Sequence, residues 1–128
     1  MSTREIPHEE WLSFFDSFSN MHRSWLVTIE VHNGEGGARV MARNLALKGI
    51  SADLEGDGEE LISIIVSQPP DTHLTHIIAA PTHVRLIQTP EGAHEALEID
   101  GPGGAKTLVR FRCAVLPEML DGVLQDEN

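Results

Sequence analysis

Apolar residues near the N-terminus recur at the spacing of a helix. The stripe consists of Trp11, Phe14, Phe15, Phe18 and Met21 or His22, at positions i, i+3, i+4, i+7 and i+10 or i+11. Such spacing places all of these side chains on one helical face. Pro7 suits a first helical turn, and Glu9 and Glu10 put negative charge near the positive end of the helix dipole. We therefore predict a helix over residues 7–20 whose aromatic stripe covers a hydrophobic surface.

Beyond Arg23 the apolar period changes to two, which is the period of a half-buried strand. We expect six or seven short strands, drawn from residues 25–32, 38–43, 49–54, 60–67, 74–79, 83–89, 95–100 and 107–115. Residues 60–67 are apolar on both faces, so this strand is expected in the centre of the sheet. Gly49 lies inside an otherwise apolar segment and predicts a bulge or a sharp bend there.

Two glycine-rich segments predict hairpins. Residues 33–37 begin with Asn-Gly and continue with further glycine, which favours a tight connection between two antiparallel strands. Residues 101–104 predict a second hairpin, in whose later arm Phe111 faces the core and Arg110 faces outward. Glu98 on the earlier arm is then expected to pair with Arg110 across the ladder.

No helix is predicted between the strands, which excludes a doubly wound parallel sheet. The predicted class is α+β, with an N-terminal helix packed on a strongly bent antiparallel sheet or a small SH3-like barrel of six to seven strands. We expect a single domain over residues 1–128, with the sheet at about 25–115 and an acidic tail at 117–128. The tail carries apolar residues at helical spacing, so it is expected either to dock on the sheet or to mediate a homo-oligomer.

Composition limits the classes of partner. The chain has 128 residues, of which 41% are hydrophobic and 23% charged, and these values are typical of a globular domain with its own core. Twenty acidic residues against nine basic ones give a formal net charge of −11. Because phosphate binding needs clustered Lys and Arg, this balance argues against nucleic acid and against anionic membranes as partners.

The ends of the chain and its single cysteine indicate a cytoplasmic location. The N-terminus has no apolar segment like that of a secretory signal peptide, and no apolar run approaches the length of a membrane span. Cys113 has no second cysteine with which to form an internal disulfide, so a reducing compartment of a bacterial type is the simplest interpretation.

Several short segments together resemble a known family. They are residues 3–11 (TREIP-x-EEW), 45–54 (L-x-L-x-GISADL), 74–76 (LTH), 95–99 (EALEI) and 107–111 (TL-x-RF). The chain resembles, over about residues 3–112, a family of small bacterial proteins known only as a domain of unknown function. The resemblance implies one compact domain and implies no activity, cofactor or catalytic residue.

Seven histidines are more than usual for this length, and three are candidate metal ligands. His73 and His76 are three residues apart and His83 follows seven residues later. Imidazole nitrogen suits zinc, and three ligands with a water would fit a hydrolytic site. In a strand, however, the first two would point to opposite faces. No His-Glu-x-x-His motif or second cysteine completes a site, so solvated surface histidines are the simpler interpretation.

Other chemical motifs are incomplete. Residues 53–58 resemble the start of a calcium loop, but Ile64 stands where its bidentate glutamate belongs, so an EF-hand is rejected. Cys113 alternates into the core and is expected to be inert. Arg39 with Arg43, and Arg110 with Arg112, could bind a carboxylate or phosphate, although salt bridges within the acidic chain are the simpler expectation.

No complete catalytic set is therefore present, and we expect no enzyme and no cofactor. The leading hypothesis is a non-enzymatic, cytoplasmic binding or regulatory module that recognises an unknown protein or peptide partner through a sheet edge or groove. The alternative is a small metal-binding protein or metal-dependent hydrolase that uses His73, His76 and His83.

Overall fold

The computed structural model describes residues 2–33, 37–54, 60–68 and 70–115, with the backbone alone for 112–115. Within these ranges the elements are β1 (Ser2–Ile6), a 3-10 turn (His8–Glu10), α1 (Trp11–His22), β2 (Leu26–His32), β3 (Ala38–Asp53), β4 (Leu61–Gln68), β5 (Thr72–Ala79), β6 (His83–Gln88), β7 (His94–Asp100), a second 3-10 turn (Pro102–Gly104) and β8 (Lys106–Val115). The strands form one antiparallel sheet in the order β1-β6-β7-β8-β2-β3-β4-β5. The predicted α+β class with a bent antiparallel sheet is confirmed. The described sheet has eight strands instead of six or seven, and it is not closed into a barrel.

The first strand was not predicted from the sequence. β1 pairs with β6, with Ile6 opposite Val84, and forms one edge of the sheet. Only Ile6 is buried among its residues, so no alternation of apolar side chains signals a strand. Pro7 follows with φ −60° and ψ 147°, an extended conformation, and the helical segment begins after it.

The predicted aromatic helix is confirmed, although α1 begins later and ends later than the range 7–20. A 3-10 turn at His8–Glu10 precedes it, and its buried residues are Trp11, Phe15, Phe18 and His22. The indole Nε1–H of Trp11 donates to the carbonyl of Ile6 at 3.0 Å. This bond ties the start of the helix to the end of β1, and it satisfies a buried polar group.

The segments predicted as strands 38–43 and 49–54 belong to a single strand, β3, which the prediction wrongly divided. Its first half pairs with β2 and its second half with β4, so β3 joins the two parts of the sheet. The register shifts between Leu47 and Gly49, which confirms the predicted irregularity at Gly49. The helix is fastened beside this bulge, because Ser19 Oγ donates to the carbonyl of Ile50 at 3.0 Å and accepts from its N–H at 2.8 Å.

The sheet is curled strongly enough to bring distant strands together. His76 on β5 has its Nε2 3.5 Å from Oγ1 of Thr107 on β8, although three strands separate β5 from β8 in the sheet. His8, just after β1, has its Nε2 3.0 Å from a carboxylate oxygen of Glu60, just before β4. The sheet therefore encloses a core on its inner face, with α1 packed against it.

Two predictions about positions in the sheet are wrong. β4 is not central, because it is next to the edge strand β5, and its buried residues alternate with half-buried ones. Glu98 does not pair with Arg110, because the register of β7 and β8 places Glu98 opposite Leu108. Glu98 instead contacts Lys106 Nζ at 2.9 Å, and Arg110 Nε contacts Glu30 at 3.1 Å. The turn that joins β7 and β8 sets this register, because the pairs from Asp100 to Ala96 follow it without a shift.

The core combines the helix stripe with the inward residues of every strand. Its completely buried large side chains are Trp11, Phe15, Ile29, Leu47, Ile62, Ile64, Leu86, Leu97, Ile99, Val27 and Val66. None of the described helices has the length and apolarity to cross a bilayer. The side chain of Cys113, the acidic turn at 55–59 and the tail at 117–128 lie outside the described residues, so the expectations for them stay predictions.

Candidate functional site

The three histidines proposed as metal ligands are not brought together. His73 and His76 lie on opposite faces of the edge strand β5, and His76 alone of the two points inward. His83 is on β6, near the other end of the sheet order, and its Nδ1 is 2.9 Å from Glu5 Oε2. Among the residues that the structure describes, no group of three or more His, Cys, Asp or Glu side chains could hold a metal ion. The metal-dependent alternative is therefore not favoured.

The outer face of the sheet carries a network of ion pairs. Arg85 lies 2.8 Å from Asp100 and 3.1 Å from Glu5, and these carboxylates raise the pKa of its guanidinium. Lys106 pairs with Glu98 at 2.9 Å. Arg110 pairs with Glu30, whose pKa is lowered by His32 and by Arg110. These three cations already have anionic partners, as the sequence led us to expect for Arg110, so none of them is available to bind a separate anion.

A groove of about 480 Å³ opens on the inner side of the sheet, between the β2–β3 hairpin and β5. We call it the hairpin groove; it is lined by Val31, Asn33, Gly37, Ala38, Arg39, Met41 and His76. Val31 is opposite Thr107 in the β2–β8 ladder, and Thr107 contacts His76, so the curl of the sheet forms the groove. None of the lining residues that the structure describes carries a carboxylate.

Arg39 supplies the positive charge of the hairpin groove. The register places Arg39 opposite Val31 and Ala42 opposite Ile29, so Arg39 shares the inner face with the buried Ala42. Simple alternation would have put Arg39 and Ala42 on opposite faces, and the register shift in this ladder explains the difference. Among the described residues Arg39 has no carboxylate partner, in contrast to Arg85 and Arg110.

His76 supplies a second polar group on the opposite wall of the groove. It is half-buried, and burial lowers the pKa of its imidazole. The ring is therefore neutral at pH 7, with one nitrogen that donates and one that accepts. A neutral imidazole and an unpaired guanidinium beside Val31 and Met41 suit a ligand that joins a carboxylate to an apolar group.

A second polar cluster, which the sequence analysis did not identify, lies beneath the helix. His22 on α1 and His94 on β7 are both buried, and His94 Nδ1 is 3.2 Å from His22 Nε2. The two rings stack against Phe18, with centroids 4.2 Å and 6.0 Å from it, and His22 also stacks on Phe111 at 4.8 Å. The helical stripe pointed to His22, but no sequence pattern linked it with a residue 72 positions away.

Hydrogen bonds determine the tautomers of this pair. A carbonyl oxygen can only accept, so His22 Nδ1–H donates to the carbonyl of Phe18 at 3.0 Å, and its Nε2 is an acceptor. His94 Nδ1–H then donates to that acceptor, which leaves a lone pair on His94 Nε2. Burial lowers the pKa of His22 to about 4, and burial with the charge of Arg4 lowers the pKa of His94. Both rings are therefore neutral at pH 7.

The fold is α+β, with a groove on the inner side of its sheet and a buried histidine pair beneath its helix. The chain belongs to a family of unknown function, DUF5335, whose model matches residues 2–119. It is also similar to an uncharacterised protein of Aquifex aeolicus (strain VF5), with 29% identity over 119 residues, which are 92% of this chain and 100% of that protein. No solved structure matches the chain.

Proposed function

We propose that this protein is a non-enzymatic binding module that holds a carboxylate of a protein or peptide partner in the hairpin groove. The observation that carries the proposal is Arg39, an arginine without a carboxylate partner among the described residues, set in a groove whose described lining has no acidic residue. What distinguishes Arg39 from the other described arginines without an ion pair, such as Arg43, is that it lines this groove. An ionic hydrogen bond from guanidinium to carboxylate is among the stronger polar contacts available to a ligand.

An extended peptide fits the wall of the groove better than a compact metabolite does. His76 lies on β5, the last strand in the order of the described sheet. An edge strand has unpaired N–H and C=O groups along one side, and extended peptides bind such edges by main-chain hydrogen bonds. The carboxylate on Arg39 would then set the register of the peptide, and Val31 and Met41 would contact an apolar side chain.

We also propose that the module acts in the cytoplasm of a bacterium, without nucleic acid or membrane as a partner. The bacterial relative supports the source, and the single cysteine supports a reducing compartment. The net charge of −11 opposes binding to phosphate-rich surfaces. Homo-oligomerisation through the apolar residues of the tail stays a prediction, because the tail lies outside the described residues.

The test uses the acetylated tripeptide Ac-Ala-Val-Leu with a free C-terminal carboxylate, and its C-terminal amide as the matched control. Titration of the ¹⁵N-labelled protein should shift the amide signals of Val31, Ala38 and His76 with the acid. Arg39→Ala should weaken binding of the acid about tenfold or more, because it removes a charge-assisted hydrogen bond.

Arg43→Ala is the control variant, since Arg43 is exposed on the same strand but does not line the groove. It should bind the acid as the wild type does. Equal binding of acid and amide, equal affinity of the two arginine variants, or no response at the groove would each overturn the proposal.

A further inference from the structure

A second cavity lies where α1 covers β1, β6 and β7. Its volume is about 230 Å³, and we call it the helix pocket. Its lining includes Arg4, Phe14, Phe18, Met21, Leu86 and His94. The walls are mostly apolar, and the polar groups of the lining are a guanidinium, an imidazole and the hydroxyl of Ser17.

The imidazole presents an acceptor to this pocket. His94 Nδ1–H is used in the bond to His22, so the free nitrogen of His94 is Nε2, with its lone pair. That nitrogen has no hydrogen-bond partner among the described residues. It is not shielded from solvent, unlike the buried and unpaired polar atoms Trp25 Nε1 and Asp100 Oδ1. It is therefore accessible from the pocket that His94 lines.

Arg4 places a positive charge beside the same pocket. It is exposed on β1, makes no ion pair with the described carboxylates, and is close enough to His94 to influence its pKa. An arginine, an imidazole acceptor and apolar walls together suit a ligand with one acidic group and a small hydrocarbon body. The volume is below the roughly 300–1,000 Å³ that drug-sized ligands occupy, so the body must be short.

We propose that the helix pocket binds a small apolar monocarboxylate, held by Arg4 and by a hydrogen bond between the ligand and His94 Nε2, with uptake of one proton from solvent. The inference goes beyond the proposed function, because it concerns a different cavity and a different ligand. The proton is shared between a carboxylate oxygen and Nε2, and no covalent bond is made or broken.

The tautomers require this proton. An ionised carboxylate has only acceptors, and the free Nε2 of His94 is also an acceptor, so the two repel each other without a proton between them. Exchanging the tautomer of His94 would point the donor of His22 away from the carbonyl of Phe18, which would leave a lone pair facing that oxygen. Among the side chains that the structure describes, the charged or titratable groups that face His94 are His22 from α1 and Arg4 from β1, while Leu86 of β6 and Phe111 of β8 are uncharged.

The experiment is calorimetric titration of the full chain with 4-methylpentanoate, in two buffers of different ionisation enthalpy, at two pH values one unit apart near neutrality. The difference between the binding enthalpies measured in the two buffers should correspond to uptake of about one proton for each ligand bound. Affinity should fall about tenfold for the unit rise in pH, because binding is linked to one proton. The neutral compound 4-methylpentanamide should bind at least tenfold more weakly than the acid.

Two variants complete the test. Arg4→Gln, at an exposed position, should weaken binding of 4-methylpentanoate about tenfold or more. Arg43→Gln should bind the acid as the wild type does. His94→Gln supplies an amide donor, so it should remove the proton uptake and the pH dependence. Absence of binding by the wild type, proton uptake near zero, or unchanged affinity in Arg4→Gln would overturn the proposal. If His94→Gln fails to fold, the buffer comparison and Arg4→Gln still decide. Arg39→Ala should bind the acid normally, so failure here and failure of the hairpin groove can be told apart.

Discussion

Phe111 lies where the helix, the sheet and the buried histidines meet. Its ring centroid is 5.7 Å from that of Phe18 and 4.8 Å from that of His22, and the residue is buried. Phe111→Ala should lower the free energy of unfolding by about 3–5 kcal/mol, because it removes a large core side chain and leaves a cavity. Urea unfolding followed by tryptophan fluorescence measures this loss.

Arg110→Ala is the matched control, since Arg110 is the next residue in the same strand and faces outward. Its side chain is 47% exposed and its partner is Glu30, so the pair is screened by water. The substitution should cost less than about 1 kcal/mol. A larger loss at Arg110 than at Phe111 would show that the two faces of β8 are reversed.

For single residues, the sequence predicts burial better than it predicts ion-pair partners. Alternation in β8 placed Phe111 inside and Arg110 outside, and the structure agrees. The partner of Arg110 was wrong, because alternation gives the face of a residue and not the register between two strands, which the turn joining β7 and β8 sets here. The inward position of Arg39 in the hairpin groove could not be inferred from alternation either, because a bulge shifts the register beside it.

Ser19 joins the helix to the sheet at one point. Its hydroxyl both donates to and accepts from the backbone of Ile50, next to the bulge at Gly49. Ser19→Ala removes both partners from a part-buried backbone pair, so we expect a loss of about 1–3 kcal/mol in the free energy of unfolding. Ser17→Ala, on the exposed side of the helix, should change it by less than about 0.5 kcal/mol. Thermal unfolding followed by circular dichroism compares the two, and equal effects would contradict this role of Ser19.

Elements with a strong apolar period were predictable, and elements without one were not. The stripe from Trp11 to Phe18 predicted α1, whereas β1 buries only Ile6 and shows no period. β3 was divided in the prediction into residues 38–43 and 49–54, with Gly49 as the expected irregularity. In the structure Asn44 adopts a positive φ of 54° and its N–H bonds to Thr28 Oγ1, so the strand continues through the irregularity.

At the scale of the whole molecule, the curl of the sheet creates both candidate sites. The contact between His76 and Thr107 closes one side of the hairpin groove, and the packing of α1 over β6 and β7 encloses the helix pocket. Neither site follows from the order of elements along the chain, because each combines residues from distant strands. The sequence therefore predicted the class of fold and a groove-binding hypothesis, but it placed interest on His73, His76 and His83, of which only His76 lines a cavity described above.

The buried histidine pair should make the stability of the whole molecule depend on pH. The pKa of His22 in the folded protein is about 4, against an ordinary value of 6.5, so the unfolded chain takes up this proton first as the pH falls. The contribution of His22 is fully present above pH 6.5 and is lost progressively toward pH 4, where the loss reaches roughly 3 kcal/mol. His94 and His76, whose pKa values are lowered by burial, act in the same direction. Urea unfolding at a series of pH values across this window measures the slope.

His22→Gln separates this effect from the general acid sensitivity of a chain with twenty acidic residues. Glutamine does not titrate, and its carbonyl can accept the hydrogen bond from His94 Nδ1, so the variant keeps a polar partner without the proton. A carboxylate with a lowered pKa, such as Glu30, contributes stability that is lost mainly below its ordinary pKa of 4.5, and this holds in both proteins. Between pH 6.5 and pH 4.5 the free energy of unfolding should therefore fall more steeply in the wild type than in His22→Gln. The difference in slope should be at most about 1.4 kcal/mol per pH unit, which corresponds to one proton. If the free energy of unfolding depends on pH equally in both proteins, His22 is not held neutral in the fold, and the tautomer assigned to His94 is wrong as well.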